Sequence, residues 1–149
     1  MSIATEFPRP ERRTARYAAL PSAAGAARRE TVQTLKDWGL VDLIDVAELL
    51  VSELVSNAVK ATGTLTVRPT YAELRRLPTV TLELRRDRGP LIISVWDVDP
   101  TPPVVRDADE QSEGGRGLHL VQALSSRWGY YPVDDGKCVW CELLPRIYA

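Results

Sequence analysis

Glu53-Leu54-Val55-Ser56-Asn57-Ala58-Val59 lies inside a longer apolar-periodic run, and the reading of that run decides the architecture. On a helical wheel of about 100° per residue, Leu43, Ile44, Ala47, Leu50, Val51, Leu54, Val55, Ala58 and Ala61 share one broad arc. Asp42, Asp45, Glu48, Ser52, Ser56 and Lys60 share the opposite arc. The run therefore predicts a helix opened by Asp42, reaching Thr62 and stopped by Gly63. Glu53 and Asn57 are stacked at i and i+4 beside Leu50, on the border of the apolar arc. A border line of this kind suits the wall of a cleft, and it equally suits two solvated side chains.

Upstream of this helix, residues 12–20 predict a short edge strand ending at Pro21. Ser22 then caps a helix that runs to about Trp38 and stops at Gly39. Downstream, residues 64–78 have no firm period, with a short helical turn expected around 71–76. Thr79 to Arg85 alternates, with Val80, Leu82 and Leu84 on one face, and reads as a strand. Arg86-Asp87-Arg88-Gly89-Pro90 reads as a hairpin connection into a strand over 91–97. A long acidic, proline-containing loop is expected over 100–115, a helix over 117–128 and a last strand over 139–144. Helices first, then antiparallel strands interrupted by one helix, predict an α+β two-layer sandwich with the helices on one face of a mostly antiparallel sheet.

Two further features carry chemistry. Ser112-Glu113-Gly114-Gly115-Arg116-Gly117-Leu118 precedes an apolar-periodic helix. Free N–H groups at a helix start favour phosphate, and glycines let a backbone approach it closely. The cluster is neither a Walker A loop nor a dinucleotide fingerprint, so a plain glycine-rich turn stays open beside phosphate binding. Asp97 ends its strand with the parity of Ile93 and Val95, which places a carboxylate at the buried edge of the core if that parity faces the helices. A buried carboxylate needs a partner, which a ligand amino group would supply. The other reading is a turn residue ahead of Pro100.

The bulk composition narrows the function classes. The chain has 149 residues, with 44% hydrophobic and 26% charged, which fits one globular domain. A formal net charge of -1 argues against bulk electrostatic binding of nucleic acid. No apolar stretch approaches the roughly 20 residues of a membrane span, and Met1 to Glu11 has no apolar leader core, so the cytoplasm is the expected compartment. Cys138 and Cys141 are spaced so that a strand points them to opposite faces, and the only histidine is His119, so they read as packed thiols and not as a zinc site.

The motifs occur in an order that resembles a known family. Glu53-Leu54-Val55-Ser56-Asn57-Ala58-Val59 is similar to the N-box helix of histidine-kinase-like ATPases, and Val95-Trp96-Asp97-Val98-Asp99-Pro100 to their first glycine box. Gly114-Gly115-Arg116-Gly117-Leu118 is similar to the second, followed by Arg127-Trp128-Gly129 and the closing Lys137-Cys138-Val139-Trp140. Within that superfamily the short chain resembles the anti-sigma factor serine kinases of the RsbW and SpoIIAB type, bacterial single-domain regulators of transcription.

The resemblance implies a Bergerat-type ATP-binding fold over residues 12–149, with 1–11 a flexible arm and 100–113 a lid. By the same likeness Asn57 would hold the magnesium that bridges the phosphates, and Glu53 would be the catalytic residue, acting as general base or orienting the attacking hydroxyl. Asp97 would accept from the adenine amino group. Gly114, Gly115, Arg116, Gly117 and Leu118 would form the phosphate cradle. ATP and Mg2+ are the implied cofactors, and a sigma factor and/or an anti-sigma antagonist the implied partners of a homodimer. The implied activity is serine/threonine kinase, with a non-catalytic nucleotide-gated interaction module as the alternative. One departure stands out: Asp99 and the run Pro100-Thr101-Pro102-Pro103 occupy the place where the first glycine box usually has its glycine.

Overall fold

A computed structural model describes residues 10–62, 77–103 and 113–145, with the backbone alone for 113–117. Its strands are β1 (Glu11–Ala18), β2 (Thr79–Arg86), β3 (Leu91–Asp97), β4 (Arg127–Val133) and β5 (Gly136–Leu143); its helices are α1 (Ala23–Asp37), α2 (Ile44–Thr62) and α3 (Glu113–Leu124). The short helical turn around 71–76, most of the 64–78 stretch and most of the lid lie outside the described residues, as does the arm up to residue 9. Glu11, the last residue assigned to that arm, already belongs to β1.

The five strands form one antiparallel sheet in the order β1-β2-β3-β5-β4. Alternation sends one face of each central strand into the core. Val80, Leu82 and Leu84 of β2 and Leu91, Ile93 and Val95 of β3 are at most 1% exposed, and they meet Leu50, Val51 and Val55 of α2. The helices cover this one face, which makes the α+β two-layer sandwich that the element order predicts. On α2 the buried stripe departs from the wheel at its end: Val59 is buried and Ala61 exposed.

Helix α1 ends by a mechanism visible in its sequence. Gly39 adopts φ 71°, the left-handed conformation that glycine takes without a Cβ clash. This lets the Leu40 N–H donate to the Leu35 carbonyl at 2.8 Å and the Gly39 N–H to that of Lys36 at 3.1 Å, the paired bonds of a Schellman stop. At the other end Ser22 is the N-cap, but its hydroxyl makes no capping bond. Helix α1 is tied to the sheet edge by Arg13 of β1. Its guanidinium donates to Thr34 Oγ1 at 3.1 Å and Asp37 Oδ2 at 2.9 Å, and lies 6.0 Å from the Trp38 ring centroid.

Three boundaries differ from the expectation. Asp42 lies in a 3-10 turn, Val41–Leu43, that leads into α2. Helix α3 begins at Glu113, so the glycine cluster forms its opening turns and is not a loop ahead of it. The same helix stops at Leu124, because Ser125 donates back to the Val121 carbonyl and the Ser126 N–H donates to the Glu142 carbonyl at 2.8 Å. Arg127 and Trp128, expected in the helix, instead open β4. Pro132 disguises that strand; it is tolerated because β4 is an edge. The two-residue turn Asp134-Asp135 then joins β4 to β5, with Asp134 at φ 49°.

Cys138 and Cys141 are both reduced and fully buried, on opposite faces of β5. Burial pushes the Cys141 thiol up to about 12, so it packs as a small apolar group. No helix among the described residues is long and apolar enough to cross a membrane.

Candidate functional site

Helix α2, the ends of β3 and β5, and the start of α3 enclose a cleft of about 270 Å3. Leu54, Ala58, Val95, Leu118 and Val139 line it with apolar surface. Asn57 and Lys60 come from α2, and Asp97, Asp99 and Lys137 from the strand ends; Thr101, Pro102 and Pro103 close one side. The arrangement follows from two periods. On α2, Leu54, Asn57, Ala58 and Ala61 fall at i, i+3, i+4 and i+7, so they form one line facing the cleft. On β3, Val95 and Asp97 share the core-facing parity, and across the register Asp97 pairs with Lys137 of β5.

The polar end is a buried ion pair. Lys137 Nζ lies 3.2 Å from Asp97 Oδ1 and 3.1 Å from Oδ2, with side-chain exposures of 6% and 2%. Lys137 also donates to the Asp99 carbonyl at 2.8 Å, and the Asp99 N–H donates to Asp97 Oδ1 at 2.9 Å. Burial holds the Asp97 carboxyl above its usual range, against the Asp99 N–H and the lysine, which pull it down. Asp97 therefore has partners from the protein itself beside any that a ligand amino group would supply. A lysine from the neighbouring strand already neutralises it.

The same contacts explain how the chain manages without the usual glycine. Asp99 is not among the described residues with positive φ, so its backbone does not need glycine. It is fixed instead by its bonds to Asp97 and Lys137, and its own carboxylate accepts from the Thr101 N–H at 3.0 Å.

Asn57 supplies the second notable group. Its Nδ2 atom is buried and has no hydrogen-bond partner among the described residues. A buried unpartnered amide costs about 1–3 kcal/mol, which a ligand in the cleft would recover. Among the described residues no group of three or more His, Cys, Asp or Glu could cage a metal ion. The donor set fits an ion such as Mg2+ that arrives with phosphates and water and takes only one protein oxygen. The Asn57 carboxamide can present that oxygen.

Of the residues singled out from sequence, Asn57, Asp97 and Leu118 meet in this cleft. Glu53 is half-buried one turn before Asn57 and does not line it. Gly114, Gly115, Arg116 and Gly117 stand in the first turns of α3, and their surroundings lie outside the described residues. Sequence reasoning missed Lys137 and Lys60 as cleft residues. Lys137 carried a signal: a cation with the parity of Val139 and Cys141 on a core-facing strand is expensive unless paired.

A sheet covered on one face by helices, with a cleft between the N-box-like helix and the strand-end aspartate, defines a nucleotide-binding class of fold. Residues 17–143 match the histidine kinase-like ATPase domain family, and the chain belongs to that family. No curated protein matches it. Among solved structures it is similar to the RsbU and RsbW domains of Rv1364c from Mycobacterium tuberculosis, with 20% identity and a TM-score of 0.60. That match covers 90% of this chain and 32% of the other, so this chain spans about a third of that longer one. The catalytic domain of histidine kinase ThkA aligns with 12% identity and a TM-score of 0.47, covering 89% of this chain and 96% of that one. Acinetobacter baumannii histidine kinase AdeS gives 10% and 0.45, with 90% and 68% covered.

Proposed function

We propose that the chain is an ATP-binding regulator whose nucleotide state controls its grip on another protein. The observation that carries this is the meeting of Asn57 and Asp97 across one apolar-walled cleft. The apolar lining suits a flat base, and the Asp97 carboxylate suits its amino group. The Asn57 carboxamide oxygen suits an ion held by the phosphates and its unpartnered Nδ2 an acceptor such as the water that ion carries, with Lys60 as a nearby cation. ATP with Mg2+ satisfies all of these together. The test is thermal melting with and without Mg-ATP: at a concentration about 100-fold above Kd, the ligand adds about 2.7 kcal/mol of stability. No shift at millimolar Mg-ATP rejects the reading.

In finer detail, the partner is a sigma factor and/or an anti-sigma antagonist, bound by a cytoplasmic homodimer whose ATPase domain takes in residues 12–149. The family match and the similarity to an RsbW-containing protein support this reading. Two activities are compatible with it. In one, Glu53 serves as the base of a serine/threonine kinase beside a magnesium held by Asn57, and Gly114, Gly115, Arg116 and Gly117 cradle the phosphates. In the other, ATP only orders the binding surface. Glu53 stands one turn before Asn57 on α2, and transfer of label from ATP to a partner serine decides between the two activities.

A further inference from the structure

We propose that Lys137 is a base-reading residue: together with Asp97 it recognises the edge of a purine, donating to ring nitrogen N1 of adenine while Asp97 accepts from the 6-amino group. The proposal rests on the nucleotide reading above and names what selects the base within it.

The accounting begins with the ammonium group, which has three N–H donors and no acceptor. The Asp97 carboxylate and the Asp99 carbonyl take two of its directions. The third remains among the described residues, and Lys137 lines the cleft beside Asp97. Asp97 Oδ1 is shared between the Asp99 N–H and Lys137, whereas among the described residues Oδ2 meets only the ammonium, at 3.1 Å, and keeps acceptor capacity. The cleft therefore presents an acceptor and a donor side by side at its polar end. Adenine carries the complement on one edge, with the amino donor next to the N1 acceptor. Val95 and Val139, two residues before Asp97 and after Lys137, supply apolar surface below the plane of such a ring.

A lysine that only neutralised a buried aspartate would need no access to the cleft. Here the pair is inside the protein yet forms part of the cleft wall, so both groups can still meet a ligand. Hydrogen bonds to charged groups are the strong ones, and an apolar surround strengthens them further.

The decisive experiment is calorimetric titration of the full chain with ATP and with 1-deaza-ATP, in which a C–H replaces N1, on the parent and on Lys137→Met. The parent should bind 1-deaza-ATP roughly tenfold more weakly than ATP, the scale of one charge-assisted bond. In Lys137→Met the two ligands should bind alike. Equal affinities in the parent, or a penalty that persists in the variant, overturn the proposal. A purely structural lysine would lower melting temperature and both affinities together, leaving their ratio unchanged. If the variant does not fold, the parent ratio still decides. No ATP binding by the parent rejects the nucleotide reading itself, a result distinguishable from equal binding of the two ligands.

Discussion

Gly136 and Asp97 are in contact through their main chains: a Cβ at position 136 would lie 1.9 Å from the Asp97 carbonyl oxygen and 3.0 Å from Val98 Cα. Only a residue without a side chain lets β5 start this close to the end of β3, and that approach brings Lys137 onto Asp97. Gly136→Ala must push the strands apart where backbone has no room to yield. The expected cost is about 3 kcal/mol or more. A urea melt should show a lower midpoint with an unchanged slope, and Mg-ATP affinity should fall with it.

Asn57→Ala and Asp97→Asn separate the two ends of the ligand. Removing the Asn57 carboxamide should weaken Mg-ATP binding by roughly tenfold or more, the scale of one charge-assisted contact, while ATP in excess EDTA binds as before. Asp97→Asn replaces an acceptor with a group that also donates, so discrimination between ATP and other nucleotides should shrink. Titrations of both variants with ATP and GTP check this. Affinities equal to the parent in every condition would remove both residues from the site.

Glu53→Gln bears on chemistry alone. Because Glu53 does not line the cleft, its amide variant should bind Mg-ATP within roughly twofold of the parent, as expected for a residue without a ground-state contact. Radiolabelled ATP with a co-purifying partner then divides the two activities. Label on a partner serine that vanishes with Glu53→Gln identifies a kinase. Tight ATP binding without label identifies a nucleotide-gated module.

Acid should weaken the fold through Glu142. Its hydrogen bonds from Arg127, at 2.7 Å and 3.2 Å, and from Ser126 hold its carboxyl below the ordinary 4.5. A depressed carboxyl contributes stability that is present above the unfolded value and is lost as pH falls through the folded one. Melting temperature should therefore decline below about pH 4.5, and Glu142→Gln should flatten that decline while lowering the neutral-pH melting temperature by a few degrees. Asp37, lowered by bonds from Arg13 and Gln33, keeps part of the acid sensitivity in the variant. Asp97 acts with the opposite sign. Its raised carboxyl contributes stability below 3.8 that is lost as pH rises through its folded value, so Asp97→Asn should steepen the acid decline.

Elements with one undisturbed period were legible in the sequence. Val80, Leu82 and Leu84 fixed the face of β2, the Leu50 to Ala58 arc fixed that of α2, and Gly39 marked its helix stop because its φ demands it. The strand β4 was not legible, because Pro132 breaks the strand signal and its edge position is a tertiary fact; the Asp135-Gly136 dipeptide was the available hint. Within the cleft, Asn57 and Asp97 were singled out by helix border and strand parity, which left a solvated pair or a turn residue open until the order of the motifs was read. Lys137 was passed over because a lone lysine near a strand end reads as solvated until the register sets it opposite Asp97.

The strand order has a kinetic corollary. Both β3 and β5 are flanked by a strand on each side, while β1 and β4 are the edges. The floor that holds Asp97 and Lys137 is thus built from one of the two central ladders of the sheet, whose amides become exchangeable only when much of the domain opens. A molecule seated on that floor cannot be released by fraying of an edge. Its occupancy should slow hydrogen exchange across the whole sheet at once, and not merely beside itself.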